Sequence, residues 1–130
     1  MAHKTMLRLD RASLDVMHVL VNAVYADHVV DGKEIETIVD ALGTLNIRSD
    51  EGEVLNKVDL LYWLEANYKE IVAQYSGSKR DIELVILLSR MKRRDDLDVI
   101  MKVIMDICHV DGVYHEGEKV LTETIRSHWF

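Results

Sequence analysis

The feature that most constrains the fold is the recurrence of apolar residues every three or four positions, in a chain that contains no proline. Such spacing collects the apolar side chains on one face of an α-helix. Proline interrupts helices, so its absence favours long helices joined by short loops. No segment alternates apolar and polar residues between turn residues, so no strand is expected. The sequence therefore predicts one all-α domain over 1–130, a bundle of six or seven helices, with residues 1–9 loosely ordered.

Capping and loop residues predict where the helices begin and end. The predicted helical segments are about 10–26, 31 or 32–42, 54–75, 81–93, a segment from Asp95 or Asp96 through Ile107, and 115–128. Ser49 or Asp50 is expected to cap the third segment. That segment is long for a typical helix, so we expect a break near Asp59 or Asn67.

The charge balance narrows the range of partners. A formal net charge of −7 argues against a nucleic-acid partner, because binding to phosphates requires a basic face. The dense basic runs are confined to 79–80 and 92–94. An acidic surface instead suits divalent cations or a basic protein partner. The sequence alone leaves the oligomeric state open.

The chain shows neither a signal-peptide pattern nor the ~20 consecutive apolar residues of a membrane span. One cysteine, Cys108, cannot form an intramolecular disulfide and is expected to be a buried, inert thiol. The expected location is the cytoplasm.

A nine-residue pattern occurs twice, as ADHVVDGKE at 26–34 and as VDGVYHEGE at 110–118. In each copy an aspartate is followed seven residues later by a glutamate: Asp27 by Glu34, and Asp111 by Glu118. Each copy also joins two apolar helical segments. The chain therefore contains an internal pseudo-repeat, with one copy near each end.

The phase of the flanking helices places these carboxylates on apolar stripes. Each motif carboxylate continues an apolar series at helical spacing: Val16, Leu20 and Ala23 before Asp27; Ile38 and Leu42 after Glu34; Ile100, Ile104 and Ile107 before Asp111; Leu121 and Ile125 after Glu118. A carboxylate at the end of an inward-facing stripe needs hydrogen bonds, a basic partner or a cation.

Two interpretations of the repeat remain open at this level. Asp31 and Glu34 have the spacing of a capping box, and Asp27 and Asp111 could bind backbone N–H groups in turns. Alternatively, the four carboxylates bind a metal. Neither copy is an EF-hand, because obligatory ligand positions carry other residues, such as Val29 at position three.

The doubled motif resembles the signature of the TerB-like family, which is linked to tellurite resistance and stress responses. The resemblance implies an all-helical domain with an acidic cluster that binds a divalent metal where the two halves meet. Carried over to this chain, the metal ligands would be Asp27, Glu34, Asp111 and Glu118, with His28, Asp31 and His115 as accessory residues. Oxygen ligands favour Ca²⁺, Mg²⁺ or Mn²⁺, and a histidine would admit Zn²⁺. The chain departs from the signature at His28, where glycine is expected, and at Val110, where a small residue is expected.

The sequence predicts a non-enzymatic protein. It contains no nucleophile elbow, phosphate-binding glycine loop or HExxH helix. The alternative to metal binding is a protein–protein interaction module in which the acidic repeat only caps helices and forms turns. The aromatic residues that could anchor such an interface are Tyr62, Trp63, Tyr68, Trp129 and Phe130. Of these, Trp63 is expected to lie in the core.

Overall fold

The computed structural model describes residues 8–24, 32–75, 80–108 and 116–130. These ranges form six α-helices: α1 (Arg11–Val24), α2 (Gly32–Leu42), α3 (Lys57–Gln74), α4 (Arg80–Met91), α5 (Leu97–Cys108) and α6 (Glu116–Trp129). They include no strand, only two isolated antiparallel bridges, which join Leu9 to Ser49 and Arg48 to Val54. The predicted all-α bundle is therefore confirmed.

Side-chain and backbone caps set the helix starts. The Asp10 carboxylate accepts a 2.7 Å hydrogen bond from the Ser13 N–H, so it caps α1. The Asp96 carbonyl accepts the Ile100 N–H at 3.0 Å, which makes Asp96 the residue that precedes α5. Helix α3 is capped by Asn56, whose side chain accepts the Asp59 N–H at 2.9 Å.

The prediction that Ser49 or Asp50 caps a helix is wrong. The Ser49 hydroxyl accepts the N–H groups of Glu51 and Glu53, each at 3.2 Å, but these belong to a tight turn. Gly52 has a φ of 90° in this turn, in the region that favours glycine. Serine stabilises turns by the same hydrogen bonds with which it caps helices, so the sequence signal was ambiguous.

The expected break in the third helical segment is also absent. Helix α3 runs without interruption past Asp59 and Asn67. The Asn67 side chain donates a 2.8 Å hydrogen bond to the Trp63 carbonyl one turn earlier, so its amide N–H is satisfied within the helix.

Arg8 and Leu9, the last residues of the 1–9 segment, make defined contacts. Leu9 is buried, and the Asp50 N–H donates a 2.9 Å hydrogen bond to the Arg8 carbonyl. Residues 1–7 lie outside the described residues. The loop between α2 and α3 thus holds the segment that leads into α1.

Helices α1 and α5 lie at the centre of the bundle. Helix α1 packs against α3, α4, α5 and α6, and α5 packs against α1, α2 and α6. Trp63 is buried, as predicted. Trp129 is also buried, and its indole N–H donates a 3.2 Å hydrogen bond to the Leu88 carbonyl, which ties the end of α6 to α4. Tyr62 and Phe130 are exposed, whereas Tyr68 is half-buried.

None of the helices in the described ranges has the length and apolar character needed to cross a membrane. Cys108 is the last residue of α5, but its side chain lies outside the described part of the molecule.

Candidate metal centre and a buried polar cluster

The predicted metal ligands and their accessory residues lie mostly outside the described residues. This holds for Asp27, His28, Asp31, Asp111 and His115. The backbones of Glu34 and Glu118 are described, each as the third residue of its helix, α2 and α6 respectively, but their side chains are not. The metal site formed by these residues therefore stays a prediction.

The apolar stripes that lead to those carboxylates are nevertheless described. On all four helices that flank the motifs, the predicted stripe residues are at most 3 % exposed: Val16, Leu20, Ala23, Ile38, Leu42, Ile100, Ile104, Leu121 and Ile125. The phase inferred from the sequence is therefore correct for each helix. Ile107 is the one stripe residue whose side chain lies outside the described set.

These four helices also pack against one another. Helix α5, which leads into the second motif, packs against α1, α2 and α6. Helix α1, which leads into the first motif, packs against α6 as well as α5. The two halves of the pseudo-repeat therefore share one hydrophobic core rather than forming separate units.

Among the described residues, no group of three or more His, Cys, Asp or Glu side chains is arranged to hold a metal ion. This search does not reach the side chains of the repeat. The described ranges include one cavity of about 300 Å³ with several acidic residues in its lining, beside the start of α3. Its lining includes Asp50, Glu51, Glu53 and Asp59, together with Arg8.

Sequence analysis did not predict a polar cluster between α1, α4 and the end of α3. Asp15 lies on α1 with its side chain only 9 % exposed, and it pairs with Arg90 of α4. The guanidinium donates from Nε to Oδ2 at 3.1 Å and from Nη2 to Oδ1 at 2.7 Å. This hydrogen bonding to Asp15 raises the pKa of Arg90. Both carboxylate oxygens are thus engaged by one planar cation.

A second polar pair adjoins the first. The Nδ1 atom of His18 and the hydroxyl of Tyr75 share a 2.9 Å hydrogen bond, and their rings meet edge to face with centroids 5.5 Å apart. Burial lowers the pKa of His18; the Asp15 carboxylate opposes this effect and Arg90 adds to it. Burial also raises the pKa of Tyr75 to about 12. Burial therefore favours the neutral form of both rings.

The two pairs line a cavity of about 160 Å³ together with Arg11, Glu83 and Ile86. The cavity has no excess of one charge, because Asp15 and Glu83 balance the two arginines. The arrangement links α1 to the end of α3 and to α4, both of which lie far along the sequence from α1.

One sequence signal could have indicated this cluster. Asp15 shares a helical face with Val19 and Asn22, both buried, so a carboxylate there requires a cation or several N–H donors. The partner could not be identified from spacing, because Arg90 is 75 residues away. Comparisons of the chain with protein-family models, with curated proteins and with solved structures found no match.

Proposed function

We propose that this chain is a non-enzymatic helical domain that binds a divalent cation through the carboxylates of its two repeated motifs, like the tellurite-resistance and stress-response domains of the TerB type that it resembles. The proposed ligands are Asp27, Glu34, Asp111 and Glu118. Four carboxylates suit Mg²⁺, Ca²⁺ or Mn²⁺. A contribution from His28 or His115 would extend the range to Zn²⁺.

The observation that supports this proposal is the burial of all four apolar stripes on helices that pack together. By helical phase, each buried stripe leads to one of the motif carboxylates. The described stripe residues are all apolar, so none of them supplies a compensating cation. Carboxylates gathered at the ends of such stripes would repel each other and lose hydration, and a bound divalent ion offsets both costs.

Thermal unfolding of chelator-treated protein tests the proposal directly. The measurement compares the Tm of the apo protein with its Tm in Mg²⁺, Ca²⁺, Mn²⁺ or Zn²⁺. A ligand that binds only the folded state stabilises it by about 2.7 kcal/mol at a hundred times its Kd. For a domain of this size, that corresponds to an increase in Tm of roughly 10 °C.

Matched variants assign any shift to the repeat. Asp111→Asn and Glu34→Gln should abolish the ion-dependent shift, because each removes a charged ligand. The controls are Asp106→Asn and Glu36→Gln, which change exposed carboxylates a few residues away on α5 and α2. These controls should keep the full shift. A Tm that no ion changes, or a shift that persists in Asp111→Asn, would leave the motif carboxylates as caps and turn formers.

A further inference from the structure

The 160 Å³ cavity between α1 and α4 has walls that run antiparallel. The Arg94 guanidinium donates a 3.1 Å hydrogen bond from Nη1 to the Ala12 carbonyl, and Arg90 pairs with Asp15. Residue numbers therefore fall along α4 as they rise along α1, which places the end of α4 beside the start of α1. Arg11, one residue before Ala12, lines the cavity at the Arg90 end.

The α4 wall of the cavity carries opposite charges at its two ends. Glu83 and Arg90 both line the cavity and lie seven residues apart, which places them on the same face of the helix. At 1.5 Å per residue their α-carbons are about 10 Å apart. Ile86 and Leu87 lie between them and line the same cavity. This wall is therefore acidic at one end, apolar in the middle and basic at the other end.

The charged groups at both ends have unused bonding capacity. Arg90 binds Asp15 through Nε and Nη2, and Nη1 forms no hydrogen bond among the described residues. In the same ranges, no ion pair engages Arg11 or Glu83. The basic end holds two guanidinium groups against one carboxylate, and the acidic end holds the Glu83 carboxylate alone.

This distribution of charge favours one class of ligand. Glu83 repels an anion, and Arg11 repels a cation. A wholly apolar molecule would remove water from both side chains without replacing its hydrogen bonds. A molecule with an ammonium group at one end and a carboxylate at the other would form a charge-assisted hydrogen bond at each end of the cavity.

The volume of the cavity limits the size of this ligand. An apolar cavity of about 150 Å³ holds benzene, so 160 Å³ suits a molecule of roughly six to eight non-hydrogen atoms. γ-Aminobutyrate, with about seven, is of this size. Its two charges lie at opposite ends of a hydrocarbon chain, whereas an α-amino acid carries both charges on one carbon. The longer separation matches charged residues that stand two helical turns apart.

We propose that this cavity binds a short ω-amino acid, with its ammonium group at Glu83 and its carboxylate at Arg11 and Nη1 of Arg90. The hydrocarbon chain between the two charges packs against Ile86 and Leu87. None of these residues belongs to the repeated motifs, so the proposal is independent of the cation site.

Titration of the isotope-labelled full chain with γ-aminobutyrate, followed by amide NMR spectra, tests the proposal. Because the ligand is small and Arg11 is exposed, we expect a dissociation constant on the order of 1 mM. The saturable shifts should be largest at residues 11–18 and 83–90. Butyrate lacks the ammonium group and butylamine lacks the carboxylate, so each should bind at least tenfold more weakly.

Matched variants assign the binding to the two ends of the cavity. Glu83→Gln should weaken the binding of γ-aminobutyrate at least tenfold and bring it close to that of butyrate. Arg11→Gln should weaken it severalfold, because Arg90 still donates to the carboxylate. The controls Glu65→Gln and Arg126→Gln make the same changes at exposed residues of α3 and α6 and should bind as wild type does.

Three results would overturn the proposal. One is the absence of a saturable shift with γ-aminobutyrate up to about 10 mM. Another is butyrate or butylamine that binds as tightly as γ-aminobutyrate, since the cavity would then not recognise both charges. The third is an equal effect of Glu83→Gln and Glu65→Gln, which would place the ligand away from this cavity.

Discussion

The pair formed by Asp15 and Arg90 offers the sharpest test of the packing described above. Replacing Arg90 by methionine keeps much of the aliphatic side chain but removes the cation that binds both oxygens of Asp15. Breaking a fully buried ion pair costs about 3–5 kcal/mol, whereas an exposed pair contributes about 0–1 kcal/mol. The Asp15 side chain is 9 % exposed and that of Arg90 is 43 % exposed. We therefore expect an intermediate loss of about 2–3 kcal/mol, because water can reach the carboxylate only in part.

Urea unfolding at pH 7 measures this loss, with Arg93→Met as the control. Arg93 is exposed in the turn after α4, so its replacement should change the free energy of unfolding by less than about 0.5 kcal/mol. Asp15→Asn should lower the free energy of unfolding less than Arg90→Met does, because water can hydrate the half-exposed guanidinium that Asp15→Asn leaves unpaired. The double variant Asp15→Asn/Arg90→Met should lose less free energy of unfolding than the sum of the losses in the two single variants. An effect of Arg90→Met no larger than that of Arg93→Met would refute the assignment of Asp15 as a buried carboxylate that depends on its partner.

Three further predictions concern His18, Tyr75 and Ser49. Burial lowers the pKa of His18 in the folded state, so the unfolded state binds the proton more readily. The free energy of unfolding should therefore fall as the pH drops below the pKa that His18 has in the unfolded state, and it should level off below the pKa of the folded state. His18→Asn should remove that part of the measured pH dependence, and an unchanged slope would contradict the burial of the ring. Tyr75 should ionise near pH 12, above the usual tyrosine pKa of about 10, in an absorbance titration that Tyr75→Phe simplifies by one group. Ser49→Ala should lower the free energy of unfolding by about 1–2 kcal/mol, because two N–H groups lose their acceptor; a loss below 0.3 kcal/mol would show that water replaces the hydroxyl.

Local patterns in the sequence were sufficient to predict that the helices form and which of their faces are buried. The apolar stripes of α1, α2, α5 and α6 were predicted in the correct phase, because a helical period depends only on residues a few positions apart. The cap of α1 at Asp10 was predictable for the same reason. The start of α3 was not, since Ser49 and Asn56 are both good caps, and the choice depended on packing of the 43–56 loop against the segment before α1.

Only the tertiary structure decided which distant residues meet. Asp15 pairs with Arg90, and His18 with Tyr75, because α1 packs between α3 and α4. The spacing of residues along a single helix does not predict this packing. The sequence alone determined the two acidic motifs and the stripes that lead to them, because these depend on spacing along single helices. Long-range pairing depends instead on how the whole set of helices fills one core, and for that reason it required the folded structure.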